Sequence, residues 1–204
     1  RKLPELNSTI KKLCLRTLVH SEGDHDEFST YTDDALLFSL VSGLRANQSL
    51  KSLFMRGFCF GSTTCLKQFL ASESAPQTIN LQITKIRSQS FDSVPSSISP
   101  CNEIIDYSRS KVKNLSINES LMDEATLSNL LLGASKLPKL KDFGVKNGSE
   151  EKKRTITSSL VGIVKYSPCL DTLFVGGYDF DHELVCDALK MNKSIEVFLW
   201  VTLN

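Results

Sequence analysis

Two stretches of the chain share one residue pattern: LRANQSLKSLFM (44–55) and LKMNKSIEVFLW (189–200). In each stretch an apolar helical segment ends, an Asn-x-Ser turn follows, and the chain enters LxxLxL, where other aliphatic or aromatic residues can replace Leu. Asn and Ser favour turns because their short polar side chains bond to neighbouring backbone groups. The two stretches therefore predict a joint that leads from a helix, through a turn, into a strand.

The LxxLxL pattern recurs seven times along the chain, at intervals of about 25 to 40 residues. The third copy is degenerate. Self-similarity at such a period is the sequence signature of a repeat architecture. The copies are Ile10-Leu13-Leu15, Leu50-Leu53-Met55, Thr78-Leu81-Ile83, Val112-Leu115-Ile117, Leu140-Phe143-Val145, Leu170-Leu173-Val175 and Ile195-Phe198-Trp200.

Helical patterns separate most of these copies, with apolar residues at i, i+3 or i+4. Strands that alternate with helices are parallel, because each strand returns through a helix to the same edge of the sheet. No unit buries its strand and its helix alone, so the units must stack. Helices are predicted over 36–44 after Asp33 or Asp34, over 62–71, over 127–134 after Asp123, over 160–164 after Thr155 and over 184–189 after Asp181.

With these joints and strands, the chain resembles the ribonuclease-inhibitor type of leucine-rich repeat over nearly its whole length. The similarity is to intracellular members, including immune-receptor sensor regions and effector-like repeats. It implies an α/β fold: a curved leucine-rich-repeat solenoid with a parallel concave sheet of about seven strands and helices on the convex side. The chain departs from the family at the ninth repeat position, where Asn or Cys is usual, and we expect apolar side chains to fill the loops there. Those positions hold Leu18, Phe58, Ile86, Ser120, Gly148, Tyr178 and Leu203.

We expect residues 1–204 to form a single leucine-rich-repeat domain, and the missing initiator Met and the apolar end suggest a piece of a longer protein. Irregular insertions at 19–32 and 88–111 break the period. The second contains a predicted short helix at 101–107, after Pro100. Insertions in solenoids map to surface loops and often carry specificity.

The composition of the chain limits the classes of partner that we expect and indicates the cellular compartment. The 24 basic and 23 acidic residues leave a formal charge of +1, which provides no general field for nucleic acid or for a membrane surface. There is neither a run of about 18 apolar residues nor a signal-peptide core. The six cysteines form no CxxC pair and are interpreted as reduced thiols of a cytoplasmic protein.

A secreted or surface location stays open because six Asn-x-Ser/Thr sequons are present. Four of them lie at the joints before strands, where a turn explains the Asn without a glycan. These four begin at Asn7, Asn47, Asn114 and Asn192, and the other two begin at Asn118 and Asn147.

Side chains alternate along a strand, so the residues between the apolar positions should face the concave side. This face begins basic, becomes uncharged and polar, and ends apolar. Arg16 and Arg56 would be neighbours able to engage a carboxylate-rich partner, and an ordinary solvated face is the alternative. The apolar end is either an interface or a surface covered by further repeats. The predicted partner-binding residues are Arg16, Phe54, Arg56, Gln82, Asn118, Lys146, Phe174 and Leu199.

Chemical sites are weaker alternatives. The stretch 20–27 offers two histidines and four carboxylates, but its spacing fits no fixed metal geometry. Cys169-Leu170-Asp171 is similar to the active-site motif of bacterial leucine-rich-repeat ubiquitin ligases. Because Leu170 opens a strand, we interpret Cys169 as a buried turn residue. We therefore predict no catalytic residue, no metal site and no cofactor.

The predicted function is a non-enzymatic scaffold that binds another protein, as a ligand-sensing or substrate-binding domain of a larger intracellular protein. Further repeats or domains of the same chain are expected alongside it. Two alternatives remain: a regulator of a small GTPase, which phosphate release from a GTPase panel would reveal, and an extracellular or surface binding module, which native disulfides would favour.

Overall fold

The computed structural model describes residues 10–16, 34–46, 49–86, 104–119, 122–148 and 154–202. Within them the chain alternates strands and helices, so the fold is α/β. The elements are β1 (Lys12–Arg16), α1 (Asp34–Ala46), β2 (Ser52–Phe60), α2 (Thr63–Ala71), β3 (Thr78–Ile86), β4 (Asn114–Glu119), α3 (Glu124–Ala134), β5 (Asp142–Asn147), β6 (Arg154–Thr155), α4 (Thr157–Tyr166), β7 (Thr172–Gly176), β8 (Tyr178–Asp179), α5 (His182–Met191) and β9 (Val197–Val201).

Seven strands form one sheet in the order β1-β2-β3-β4-β5-β7-β9, which is also their order along the chain. Every neighbouring pair is parallel. The short strands β6 and β8 pair in parallel as a second, two-stranded sheet that the pattern did not predict. The prediction of one parallel sheet of seven strands is confirmed.

The register of β3 differs from the prediction. Leu53 pairs with Ile79 and Met55 pairs with Leu81, so the third apolar triplet is Pro76, Ile79 and Leu81 instead of Thr78, Leu81 and Ile83. The pattern missed it because Pro76 is not an aliphatic match, although it is buried. A slip of two residues keeps every side chain on its face, since the side chains of a strand alternate with a period of two.

One face of the seven-stranded sheet is packed against the helices. Leu53, Leu81 and Leu115 lie on this face and are at most 2% exposed, together with Leu66 and Leu127 of the helices. Burying each such side chain contributes about 1.5–3 kcal/mol, so this shared core fixes the side on which the helices lie. The five helices contact one another in chain order.

Three helix starts illustrate how local sequence sets the elements. Asp123 and Asp181 cap α3 and α5 as predicted, accepting hydrogen bonds from the amides of Thr126 at 2.7 Å and Leu184 at 3.0 Å. The prediction of Thr155 as the cap of α4 is wrong, because Thr155 belongs to β6 and Ile156 occupies the cap position.

No helix in the described ranges has the length and apolarity needed to cross a bilayer.

The two predicted insertions are described only in part. Residues 19–32 and 88–103 lie outside the described ranges. The predicted helix at 101–107 is wrong over its described part, because residues 104–107 have no regular secondary structure and a turn follows at Ser108 and Arg109. Tyr107 is buried there, and the Ser110 hydroxyl donates to the carbonyl oxygen of Leu70 at 2.6 Å.

The ninth repeat positions behave largely as expected where they are described. Phe58 and Tyr178 are buried aromatic side chains, and Ile86 is also buried, although the corrected register moves the ninth position of the third copy to Thr84. Gly148 is exposed, and Leu18, Ser120 and Leu203 lie outside the described residues. Buried aromatic side chains therefore occupy two of these positions.

Candidate binding face

The strand residues that point away from the helices form what we call the open face. Their backbones lie in register from strand to strand, which produces three rows across the sheet. All of these residues except Gly176 are at least partly exposed. The first row is Lys12, Ser52, Thr78, Asn114, Asp142, Thr172 and Val197; the middle row is Cys14, Phe54, Asn80, Ser116, Gly144, Phe174 and Leu199; the third row is Arg16, Arg56, Gln82, Asn118, Lys146, Gly176 and Val201.

All eight residues predicted to contact a partner lie on the open face. The aromatic and aliphatic ones occupy the middle row. The polar and basic ones are consecutive in the third row, on the five adjacent strands from β1 to β5. The register of β3 places Gln82 between Arg56 and Asn118. The third-row set is Arg16, Arg56, Gln82, Asn118 and Lys146, and the middle-row set is Phe54, Phe174 and Leu199.

Charge on the open face is uneven. Arg16 and Arg56 are partners on adjacent strands, whose backbones lie about 4.8 Å apart in such a sheet. This confirms the expected adjacency. Arg16 and Lys146 form no ion pair with any residue in the described ranges. Of the acidic residues, only Asp142 is in the three rows, and the Asn114 amide, oriented to satisfy its neighbours, donates to Asp142 Oδ2 at 3.3 Å.

A shallow depression of about 280 Å³ lies in the middle of the open face. Phe54 and Phe174 flank it, and Asn80, Ser116 and Gly144 form its floor. A Cβ atom added at Gly144 would lie 3.7 Å from Ser116 Oγ and from the Phe174 ring, which is ordinary van der Waals contact. We call this depression the groove.

The ring of Phe174 lies over Gly176, and the alkyl chain of Lys146 lies beside it. A Cβ atom added at Gly176 would be 3.2 Å from the ring and 3.3 Å from Lys146 Cγ. Glycine therefore permits this close approach. As a result, an aromatic surface and a cation are held side by side at one end of the groove.

The last strand, β9, exposes apolar residues on both faces of the sheet. Leu199 and Val201 are 51% and 48% exposed on the open face, and Trp200 is 39% exposed on the helix side. Trp200 still packs against Phe180, with ring centroids 5.1 Å apart, and against His182 at 4.6 Å. Both explanations of this apolar end, an interface or a cover of further repeats, remain predictions.

A buried carboxylate that the sequence analysis did not predict lies at the end of β4. Glu119 is fully buried, and its Oε1 lies 2.8 Å from Nη1 of Arg154 and 2.6 Å from the Tyr178 hydroxyl. Burial raises the pKa of Tyr178 well above its ordinary value of 10.0, and the charge of Glu119 adds to the rise. The missed signal is the alternation itself, since Glu119 follows Ile117 at the next inward-facing position.

The sequence analysis considered two chemical sites, one at Cys169 and one in the stretch 20–27. The prediction that Cys169 is buried is wrong: it lies exposed in the turn between α4 and β7. Asp171 of the same tripeptide pairs with Lys141 at 3.2 Å. The histidine-rich stretch 20–27 lies outside the described residues, and among those that are described no three His, Cys, Asp or Glu side chains cluster as metal ligands would.

Two sequons have clear structural roles. Asn192 Oδ1 accepts hydrogen bonds from the amides of Ser194 at 2.7 Å and Ile195 at 3.1 Å, which is the turn predicted before a strand. Asn147 is buried, and its amide donates to the carbonyl of Gly177 at 3.2 Å. A glycan on Asn147 is incompatible with this packing. Asn114 and Asn118 lie within β4, whereas Asn7 and Asn47 are outside the described residues.

Comparisons with protein-family models, with curated proteins and with solved structures return no match to this chain.

Proposed function

We propose that the chain is a leucine-rich-repeat domain of the ribonuclease-inhibitor-like type that recognises another protein and has no enzymatic activity. It acts as a ligand-sensing or substrate-binding part of a larger cytoplasmic protein, with further repeats or domains beside it. The observation that carries the proposal is the open face: seven adjacent strands present three rows of side chains that the helices leave uncovered.

The dimensions of the two layers support the curvature that the proposal requires. Adjacent strands are about 4.8 Å apart, whereas packed helices need about 8–10 Å between their axes. Helices stacked in chain order on one face therefore spread further apart than the strands they follow. This difference favours a sheet that bends away from the helices, with the open face on the concave side.

The chemistry of the open face supports binding over catalysis. In the described rows, no serine, threonine or cysteine side chain is hydrogen-bonded to a base that could activate it, as a nucleophile requires. The face instead offers exposed aromatic, aliphatic and cationic side chains, and aromatic and arginine residues are enriched where proteins bind one another.

Affinity capture with matched variants tests this function. One variant carries Phe54→Ser and Phe174→Ser on the open face. Its control carries Leu132→Ser and Tyr166→Ser, which are 51% and 66% exposed on α3 and α4. We expect specific protein partners to be lost from the first variant and retained by the control. Partners that bind both variants equally, or substrate turnover without any protein partner, would overturn the proposal.

A further inference from the structure

The lining of the groove carries a single charge, the carboxylate of Asp142. The rest of the lining consists of two aromatic rings, apolar strand residues and neutral polar side chains. Asp142 is exposed and forms no ion pair with any residue that the structure describes. Its Oδ2 accepts a hydrogen bond from the Asn114 amide at 3.3 Å, whereas Lys141, the residue before it, is paired with Asp171 at 3.2 Å. The groove therefore presents a carboxylate that has no cationic partner.

The four cations of the open face lie away from this carboxylate. Lys12 is in the same row as Asp142, but its backbone is four strand intervals away, or about 19 Å. Lys146 is on the same strand, four residues further along, or about 13 Å. Arg16 and Arg56 share the third row with Lys146 but lie on the more distant strands β1 and β2. Because charges are screened over about 8 Å at physiological ionic strength, Asp142 dominates the potential beside it.

The groove has the size of a site for one side chain. Its volume of about 280 Å³ lies below the range of about 300–1,000 Å³ that is usual for small-molecule pockets. It is also a depression in a wide surface and not an enclosed cavity. A larger ligand can therefore lie across the open face and insert one of its side chains here.

The space above Gly144 lies between an aromatic ring and a hydroxyl. A Cβ atom added there would be 3.7 Å from Cδ1 of Phe174 and from Oγ of Ser116. Because Gly144 has no side chain, the part of the ring that faces β5 is uncovered. Asp142 lies two residues before Gly144, and its backbone is about 8 Å from that of Phe174 on the neighbouring strand. A side chain that enters above Gly144 thus reaches the ring and the carboxylate together.

These groups match the guanidinium group of an arginine. This planar cation stacks on aromatic rings, and its N–H groups form a fork that fits a carboxylate. Its remaining N–H groups need acceptors. The side chains of Asn80 and Ser116 line the groove and make no hydrogen bond to other residues in the described ranges, so their oxygens can accept. A lysine ammonium has neither the plane nor the fork and would use less of this lining.

We infer that the groove binds an arginine side chain of a partner protein, with its guanidinium group against the ring of Phe174 and paired with the carboxylate of Asp142. The inference rests on the proposed function and specifies the ligand of this part of the open face. The segment that carries the arginine crosses the neighbouring strands, and Phe54 offers it an apolar contact at the other end of the groove. An acidic or phosphorylated side chain is excluded from the groove because Asp142 would repel it.

The test selects binders from a random library of displayed dodecapeptides on the whole chain and on three variants. Gly144→Val occupies the space above Gly144, where a Cβ atom makes only ordinary van der Waals contacts. Valine also favours strands more than glycine does, so this variant should keep the thermal midpoint of the wild type. Asp142→Asn removes the charge and keeps the shape. Asp187→Asn is its matched control, because Asp187 is exposed on α5, outside the sheet.

We expect the peptides that bind the wild type but not Gly144→Val to share an arginine. Asp142→Asn should weaken their binding about fivefold, and Asp187→Asn should leave it unchanged. Replacing the arginine by citrulline, its neutral isostere, should weaken binding about tenfold. Asp142→Asn should then have no further effect on the citrulline peptide, because the two changes remove the same interaction.

Two results would overturn the inference while the proposed function stands. One is a set of groove-dependent peptides without an arginine, and the other is an equal response to Asp142→Asn and Asp187→Asn. If no groove-dependent peptide emerges, the inference also fails, and affinity capture with the Phe54 and Phe174 variant then decides the proposed function.

Discussion

The hydroxyl of Tyr178 donates a 2.6 Å hydrogen bond to Oε1 of Glu119, although 59 positions separate the two residues in the chain. Nη1 of Arg154 donates to both carboxylate oxygens, at 2.8 and 3.0 Å, and the amide of Met122 donates to Oε2 at 3.0 Å. A buried charge is tolerated only when it is paired and hydrogen-bonded in this way. The carboxylate therefore ties the end of β4 to the small sheet of β6 and β8.

Removing that carboxylate should cost much of the stability of the fold. We expect Glu119→Ala to lower the free energy of unfolding by about 3 kcal/mol, because Arg154 and Tyr178 lose a buried partner. Urea unfolding followed by circular dichroism measures the change. The control is Glu73→Ala, since the Glu73–Arg109 pair is exposed and should contribute less than about 1 kcal/mol. Equal effects of the two substitutions would contradict the assigned role of Glu119.

Alkaline pH should destabilise the chain. Burial raises the pKa of the Cys65 thiol from 9.0 to about 12 and that of the Tyr107 hydroxyl from 10.0 to about 12. Tyr178 shifts in the same direction, with burial as the main cause. All three are neutral when protonated, so their stabilisation is complete below the unfolded pKa values and is lost as the pH rises above about 9 to 10.

The measurement is the free energy of unfolding between pH 7 and 11. It should be nearly constant to about pH 9 and then fall, with each titrating group contributing at most about 1.4 kcal/mol per pH unit. Tyr178→Phe removes one of these groups, so its curve should fall less steeply above pH 10. An unchanged slope in that variant would show that Tyr178 ionises equally in both states.

Two glycines should respond in opposite directions to alanine. Gly177 has a φ of 71° and donates its amide to the carbonyl of Val201 at 2.8 Å, so Gly177→Ala should cost about 1 kcal/mol through backbone strain. Gly162 lies within α4, and a Cβ atom there would meet open space. Gly162→Ala should therefore stabilise the chain by about 0.5–1 kcal/mol. Thermal unfolding of both variants is the measurement, and the same sign in both would refute the argument.

The apolar strand β9 should promote association at high concentration. An exposed, hydrophobic strand at a sheet edge is a site of intermolecular pairing, and a charge there opposes it. Leu199→Lys should therefore reduce self-association in sedimentation velocity. Leu184→Lys is the control, because Leu184 is similarly exposed, at 55%, but lies on α5. If both variants associate as the wild type does, this edge is not the contact.

The seven strands could be predicted because their inward residues are mostly aliphatic and recur with the repeat. The register of β3 was predicted wrongly because Pro76 occupies the first position of the apolar triplet, where the pattern requires an aliphatic or aromatic residue. The face of Gln82 still followed correctly, because the error was an even number of residues. Periodicity thus determined which side a residue faces more reliably than which row it occupies.

The cluster around Glu119 could not be predicted in the same way. Its three side chains come from parts of the chain that share no local pattern, and a single acidic residue at an inward position gives no hint of its partners. The short strands β6 and β8 are two residues each, which is too short for any period to appear. Contacts between distant segments are therefore what the structure adds to the sequence.

Every strand of the large sheet is bonded only to those that precede and follow it in that sheet. Copying one whole unit, or deleting one, would leave the pairing partners of distant strands as they were. A lineage could therefore widen or narrow this surface by duplicating a short piece of coding sequence, while the existing contacts elsewhere keep their geometry.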